Sequence, residues 1–223
     1  MKLKKTLETP SKSLQNTISY AAVKQVIDML CGILLIILLF PLFLVIGISI
    51  LIDDGGPVIF RQTRTGKNKR PFTIWKFRTI PVSGKNNSDT GDHEYPSWDS
   101  GVPDQFIFKS KLPSGTSRIG KLLRKYSLDE LPQLVNVIKG DMSLIGPRPE
   151  VPDITRYYNQ QQQERLMVKP GITGFAQVSG RSNINHGKKI KYDRYYVHNL
   201  SFSLDCKILL YTVRQVIKSE GSY

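Results

Sequence analysis

Residues Met29–Ile52 read MLCGILLIILLFPLFLVIGISILI, twenty-four residues without a charge. At ~1.5 Å of rise per residue, a helix of this length crosses a ~30 Å hydrocarbon core with room to tilt. The run is too long, and begins too far from Met1, for an ordinary signal-peptide core. No small-residue cleavage pattern follows it, so it is expected to be retained. A helix that is apolar on every side becomes a soluble core only inside a large protein. The 223 residues here suffice for one sizeable domain, or a domain plus an anchor. Pro41 stands near the middle of the run, where it removes a backbone donor and clashes with the preceding turn. The helix is therefore expected to kink or break there, into arms each shorter than a full crossing.

The flanks of the run bear on its path. Lys2, Lys4, Lys5, Lys12 and Lys24 precede it, and Arg61, Arg64, Lys67, Lys69 and Arg70 follow it. Neither side wins the positive-inside comparison, as expected if both flanks lie in the cytoplasm. The residues favour a re-entrant hairpin broken at Pro41 over a kinked spanning helix, which prolines also permit. Asp28 would be costly deep in lipid, and Lys24, one turn earlier, is its expected partner.

Three regions follow. Residues 1–19, rich in Lys, Ser and Thr, read as a flexible basic tail suited to anionic headgroups; residues 20–52 form the membrane-embedded helix; residues 53–223 form the globular domain. Thirty-two Lys and Arg against eighteen Asp and Glu give a formal charge of +14, which attracts nucleic acid, an anionic membrane surface or phosphorylated small molecules. Two cysteines imply no disulfide framework, and His93, His186 and His198 lack metal-ligand spacing.

Within the globular domain, Val58–Arg64 and Phe72–Arg78 are β-prone runs joined by a polar loop, and they read as a hairpin. Lys76 and Arg78 share one face of its second strand, where basic side chains line either a site or a solvated surface. Residues 81–115, rich in Pro, Gly, Ser, Asn and Asp, read as a long mobile loop. Helical periodicity returns at Ile119–Tyr126 and from Leu131 to the stop at Gly140. Residues 153–168 look helical and polar, and Leu204–Ile217 forms a basic amphipathic helix suited to a membrane interface or to packing on the domain. The fold class expected is α+β: a re-entrant membrane hairpin joined to a compact domain of helices with a small β-hairpin or sheet and interfacial amphipathic helices.

The chemistry concentrates in Arg124-Lys125-Tyr126-Ser127-Leu128-Asp129-Glu130-Leu131-Pro132, followed by Gly146-Pro147-Arg148-Pro149. Ser127-x-x-Glu130 fits a helix capping box. That placement would set Pro132 at the fifth helical position, where its missing donor costs a hydrogen bond, whereas proline suits a helix start. The helix more naturally begins near Pro132, with Asp129 and Glu130 in a turn ahead of it. Spacing alone leaves both readings open. Adjacent carboxylates suit glycoside hydrolysis poorly, because that reaction needs them apart across the scissile bond. They suit Mg²⁺ held against substrate phosphates better, with Arg124, Arg148 and Arg181 as phosphate clamps.

In order, the central-proline apolar run, GGPVIFRQTRTG, FTIWKFRT, SLDELPQLVNVIKGDMSLIGPRP, KPGITGFAQVSGR and YDRYYVHNLSFSLDCKIL resemble the bacterial sugar transferase family over residues 20–218. These are small monotopic phosphoglycosyl transferases that start glycoconjugate assembly on polyprenyl phosphate. The resemblance implies a bacterial inner-membrane enzyme with its catalytic domain on the cytoplasmic face and its membrane helix broken at Pro41. It implies Asp129 as the nucleophile toward a nucleotide sugar, Glu130 as the Mg²⁺ ligand and Arg124 as a phosphate-binding residue. Arg148 falls in the Pro-Arg-Pro motif, and Lys76 and Arg181 match other basic motif positions. Phe40 stands where the family often has serine, and Phe175 where tryptophan is common. The expected product initiates capsule, exopolysaccharide or another glycoconjugate. The expected partners are a UDP-sugar donor, polyprenyl phosphate and the membrane, with a homo-oligomer left open and the donor sugar unspecified. A membrane-tethered nucleic-acid binder finds no motif to support it, and a non-catalytic assembly scaffold would not need Asp129.

Overall fold

The structure, a computed structural model, describes residues 14–81, 98–107, 115–180 and 184–218. It is a mixed helical protein with two small sheets and one long apolar helix, α1, at Leu14–Asp54. Helix α1 begins six residues before the expected entrance at residue 20, and it continues through Pro41. The expected break into two separate helices is not seen. One missing donor weakens the hydrogen-bond ladder locally, and the flanking Leu and Ile turns carry the helix past it.

One stripe of α1 faces the rest of the protein along its length. Lys24, Asp28, Gly32, Ile46 and Ile50 are buried at spacings that keep them on one side. The opposite side exposes Leu30, Leu34, Ile37, Val45, Ile48 and Ile52. Ahead of the proline, Lys24 pairs with Asp28 at 3.5 Å as expected and, at 2.7 Å, with Asp205. Asp28 accepts from Ser143 Oγ at 2.6 Å. Tyr196 reaches both Asp205, at 2.8 Å, and the Ile145 carbonyl, at 2.9 Å. Beyond the proline, Phe43 meets Phe77 with ring centroids 5.5 Å apart, and Ile46 and Ile50 pack with Phe77 and Leu123. Both halves of the helix therefore rest on the same globular body.

Strands β1 (Ile59–Thr65) and β2 (Pro71–Phe77) form the expected hairpin, with Arg61 opposite Trp75 and Ile59 opposite Phe77. Arg78, just past β2, caps the end of α1 by donating to the Asp54 and Gly56 carbonyls at 3.0 and 2.9 Å. Helices α2 (Arg118–Lys125) and α3 (Gln133–Lys139) match the periodicity read from sequence. Strand β3 (Ser143–Ile145) pairs in parallel with β4 (Gly171–Thr173). The segment read as helical and polar at 153–168 is divided into α4 (Pro152–Thr155), α5 (Gln160–Gln163) and a 3₁₀ turn. Asn159 caps α5 in a box with Gln162, which starts a new helix within it. Helices α6 (Phe175–Gly180), α7 (His186–His198) and α8 (Phe202–Lys218) complete the chain.

Most of the loop expected at 81–115 lies outside the described residues, but in its 98–107 portion Trp98 and Val102 are buried in the core. Trp98 stacks edge-on to Phe106 and Tyr157, and Trp98 and Val102 pack with Ile154, Tyr158, Leu166 and Ile190. Burying two such apolar side chains stabilises the fold by roughly 2–3 kcal/mol each.

Candidate active site

The site is assembled from close backbone approaches. A Cβ at Gly120 would fall on the Thr79 carbonyl, so only glycine lets α2 lie this near β2's extension. Ser117 caps α2 by accepting from the Gly120 N–H at 2.9 Å. One turn later, Arg124 Nε donates to Thr79 Oγ1 at 2.9 Å. Ser127 then adopts a left-handed backbone, φ 56°, and swings the chain into the 3₁₀ turn Leu128–Glu130. Its side chain makes no capping bond, so the capping box does not form. Helix α3 starts at Gln133 with Pro132 at its cap position, as the proline required. At seven residues α3 lends little dipole, and the field on Asp129 and Glu130 comes from side-chain cations.

Asn136 fixes α3 against β2. Its Nδ2 donates to the Thr73 carbonyl at 2.7 Å and its Oδ1 accepts from the Trp75 N–H at 3.1 Å, so the side chain satisfies the open strand edge. Asn136 is 0 % exposed. The consequence is that the turn ahead of α3 faces Lys76. Lys76 Nζ lies 2.8 Å from Glu130 Oε1. Arg148 clamps the same carboxylate from the other side, NH2 to Oε1 at 2.7 Å and NH1 to Oε2 at 3.2 Å.

The two neighbouring carboxyls are pushed apart. Burial raises Glu130, but Arg148 and Lys76 outweigh it and hold this carboxyl well below the usual carboxylate range. Burial and then the Glu130 charge push Asp129 up to about 6, against the pull of Lys76, Arg148 and Arg124. Burial pushes Lys76 down, with Glu130 opposing. Glu130 is thus a neutralised anchor for the cations, while Asp129 is a basic carboxylate beside them. Such a split between adjacent groups assigns different roles to each.

Behind Arg148 stands a buried ion network. Arg165, 1 % exposed, donates to the Arg148 carbonyl at 2.9 Å, to Asp193 at 2.9 and 2.8 Å and to Tyr158 at 2.7 Å. Glu150 lies 3.1 Å from Lys189 and 3.7 Å from Arg165. The Arg148 loop is also gripped by interlocked glycines. Cβ atoms at Gly146, Gly171 or Gly174 would collide with the backbone of the facing segment.

The sequence-derived candidates Lys76, Arg124, Asp129, Glu130 and Arg148 therefore converge, and Arg181 lies outside the described residues. Sequence reasoning missed Arg64, whose charge bears on Glu150, Arg148 and Glu130 and whose buried Nε has no partner among the described residues. It also missed Asn136 and Arg165. A polar residue on the apolar face of α3 was the available signal for Asn136.

Among the described residues no three His, Cys, Asp or Glu gather to hold a metal by themselves. A divalent cation here would take a carboxylate oxygen of Glu130, with water and phosphate oxygens completing its shell. That oxygen set suits Mg²⁺. Glu130 Oε2, with one contact at 3.2 Å, retains a lone pair for it.

The sequence pattern that describes bacterial sugar transferases matches residues 19–219. The chain belongs to the bacterial sugar transferase family. Members of this family are transferases, and the protein is an enzyme of that class. An uncharacterised sugar transferase of Bacillus subtilis, EpsL, is 44 % identical over 75 % of this chain and 73 % of its own length. The exopolysaccharide production protein ExoY of Sinorhizobium fredii is 36 % identical over 90 % of this chain and 88 % of its own. The undecaprenyl-phosphate galactose phosphotransferase of Salmonella typhimurium is 35 % identical over 90 % of this chain, which spans 41 % of that longer protein. In this sugar transferase, the matched region contains the converging residues and both halves of α1.

Proposed function

We propose that this sugar transferase moves a phosphosugar from a nucleotide sugar, UDP-linked, to polyprenyl phosphate at a membrane, with Asp129 as a covalent nucleophile. The observation that carries the reading is the raised Asp129 carboxyl beside a Glu130 already neutralised by Lys76 and Arg148. A carboxylate with a pKa of about 6 is ionised at neutral pH yet more basic than an ordinary aspartate. An Asp129 oxygen bonds to the β-phosphorus, the bond from that phosphorus to the bridging oxygen breaks, and UMP leaves with the electron pair. A phosphate oxygen of the polyprenyl acceptor then attacks the same phosphorus. The aspartyl bond breaks, which restores the carboxylate and yields the polyprenyl-diphosphate sugar.

Arg148, Lys76 and Arg124 would bind the diphosphate and offset its charge, and the basic Arg64 would widen that cationic surface. Mg²⁺ held by Glu130 would supply further neutralisation of phosphate charge. The apolar outer side of α1 supports membrane attachment. The contact of both α1 halves with one body supports a monotopic placement, because a helix spanning away from the domain would leave one half free of it; basic residues on both flanks of the apolar run favour the cytoplasmic face for the domain. The Salmonella relative acts on undecaprenyl phosphate by name, and the ExoY relative, named for exopolysaccharide production, supports a role in exopolysaccharide synthesis.

Purified protein with Mg²⁺, undecaprenyl phosphate and a panel of UDP-sugars is expected to release UMP with at least one donor. Folded protein that releases none sinks the reading. The acid limb of kcat/KM should fall about tenfold per pH unit once the pH drops below the Asp129 value of about 6. Glu130→Gln removes a charge that raises Asp129, so it should slow turnover and move that limb to lower pH. An unmoved limb would show that some other group titrates.

A further inference from the structure

We propose that Arg61, Trp75 and Lys139 form a binding site for the phosphate of an anionic phospholipid headgroup beside α1. The proposal rests on the membrane placement above. Arg61 and Trp75 face each other across the hairpin, on the same side as Ile59 and Phe77 two residues along. Phe77 packs on Ile46 and Ile50 of α1, so this strand face is turned toward the membrane helix. The Arg61 guanidinium stands 4.7 Å from the Trp75 ring centroid and the Lys139 ammonium 5.8 Å. Lys139 ends α3, and the preceding Ile138 lies 3.2 Å from where a Cβ on Gly32 of α1 would stand.

Both cations are exposed, and among the described residues neither is in an ion pair. Two like charges approach one ring, and the ring offsets only part of their repulsion. A phosphate bound beside them offsets the rest. The same basic margin continues along α1: Lys169 approaches Gly140 and feels the charges of Lys67 and of Asp28. A half-buried indole with cations beside an apolar helix is the arrangement that membrane headgroups recruit. Arg61, Trp75 and Lys139 take no part in the phosphate chemistry around Asp129, so the site has its own occupant.

The test uses the full chain carrying Trp98→Phe, which leaves Trp75 as the sole tryptophan of the two in the sequence. The protein is reconstituted in phosphatidylcholine vesicles containing equal fractions of either brominated phosphatidylglycerol or brominated phosphatidylcholine. Brominated phosphatidylglycerol is expected to quench Trp75 about twofold more strongly, with the excess lost in Arg61→Gln/Lys139→Gln. Equal quenching by the two lipids overturns the site and leaves the membrane placement standing. Quenching by neither overturns both. An excess that survives the double substitution overturns the assignment to these cations. If Trp98→Phe fails to fold, native mass spectrometry of the unsubstituted protein released from detergent replaces the optical measurement. Preferential retention of phosphatidylglycerol, lost in the double variant, is then the expected result, and equal retention of both lipids overturns the site.

Discussion

Asp129→Asn should abolish UMP release, by at least about 10⁴-fold, while making the protein more stable at pH 8. The loss follows from replacing the carboxylate that supplies the protein's own bond to phosphorus in the proposed scheme. The gain follows from linkage. The folded-state value of about 6 lies above the ordinary aspartate value of 3.8, so folding favours the protonated carboxyl. Its stabilising share is complete below the unfolded value and is lost as the pH rises through about 6. At pH 8 the ionised group costs roughly 3 kcal/mol, which the neutral amide avoids. Melting curves of both proteins should therefore diverge at pH 8 and converge near pH 4. Identical melting at both values would show that Asp129 is not held in an unfavourable ionised state. Turnover retained in the asparagine variant would remove it as nucleophile regardless of stability.

Arg165→Met should be the most damaging substitution for the fold, by about 3–5 kcal/mol. Arg165 is enclosed, and it is the sole ion-pair partner of Asp193 among the described residues. Removing it leaves Asp193 and part of Glu150 as buried charges without compensation, and it withdraws the donor from the Arg148 carbonyl. Arg165→Met combined with Asp193→Leu should recover a large part of the loss, because it removes the stranded charge as well. The combined variant should still turn over more slowly than the native enzyme, since the Arg148 loop has lost its prop. Thermal unfolding in detergent checks the first statement. A single variant that melts within about one degree of the native protein would contradict the network's role.

The hairpin and the entrance to α3 were legible because their signals are local. Two β-prone runs with a polar connection fixed the first, and the cost of a proline inside a helix fixed the second. Periodicity also located α2 and α8. Other elements carried no local signal. Strands β3 and β4 are three residues each, too short for alternation to show, and they pair across a long separation through glycines whose role is close approach. The 98–107 stretch read as part of a long mobile loop because Trp98 and Val102 stand among Pro, Gly, Ser and Asp without periodicity, and their burial depends on α4, α7 and the Leu166 turn. Arg165 sits at the end of a Gln-rich run that reads as a wet helix face, and only the fold reveals that Asp193 and Tyr158 surround it. The converging site residues were named from motif positions. Their separation into a clamped Glu130 and a raised Asp129 required the geometry of Lys76 and Arg148.

Helix α1 reaches further into the protein than an anchor needs to. Lys24 and Asp28 enter the polar interior with Asp205 and Ser143, while Ile46 and Ile50 complete the apolar cluster over Phe77 and Leu123. Tyr196 joins that interior to the Ile145 carbonyl, three residues ahead of Arg148. Trimming the chain back to its β-hairpin to obtain a water-soluble fragment would thus strip a wall from the catalytic body and leave Asp205 without its lysine. Solubilisation strategies for this enzyme have to work on the outward-facing leucines and isoleucines of α1 and leave the inward stripe intact.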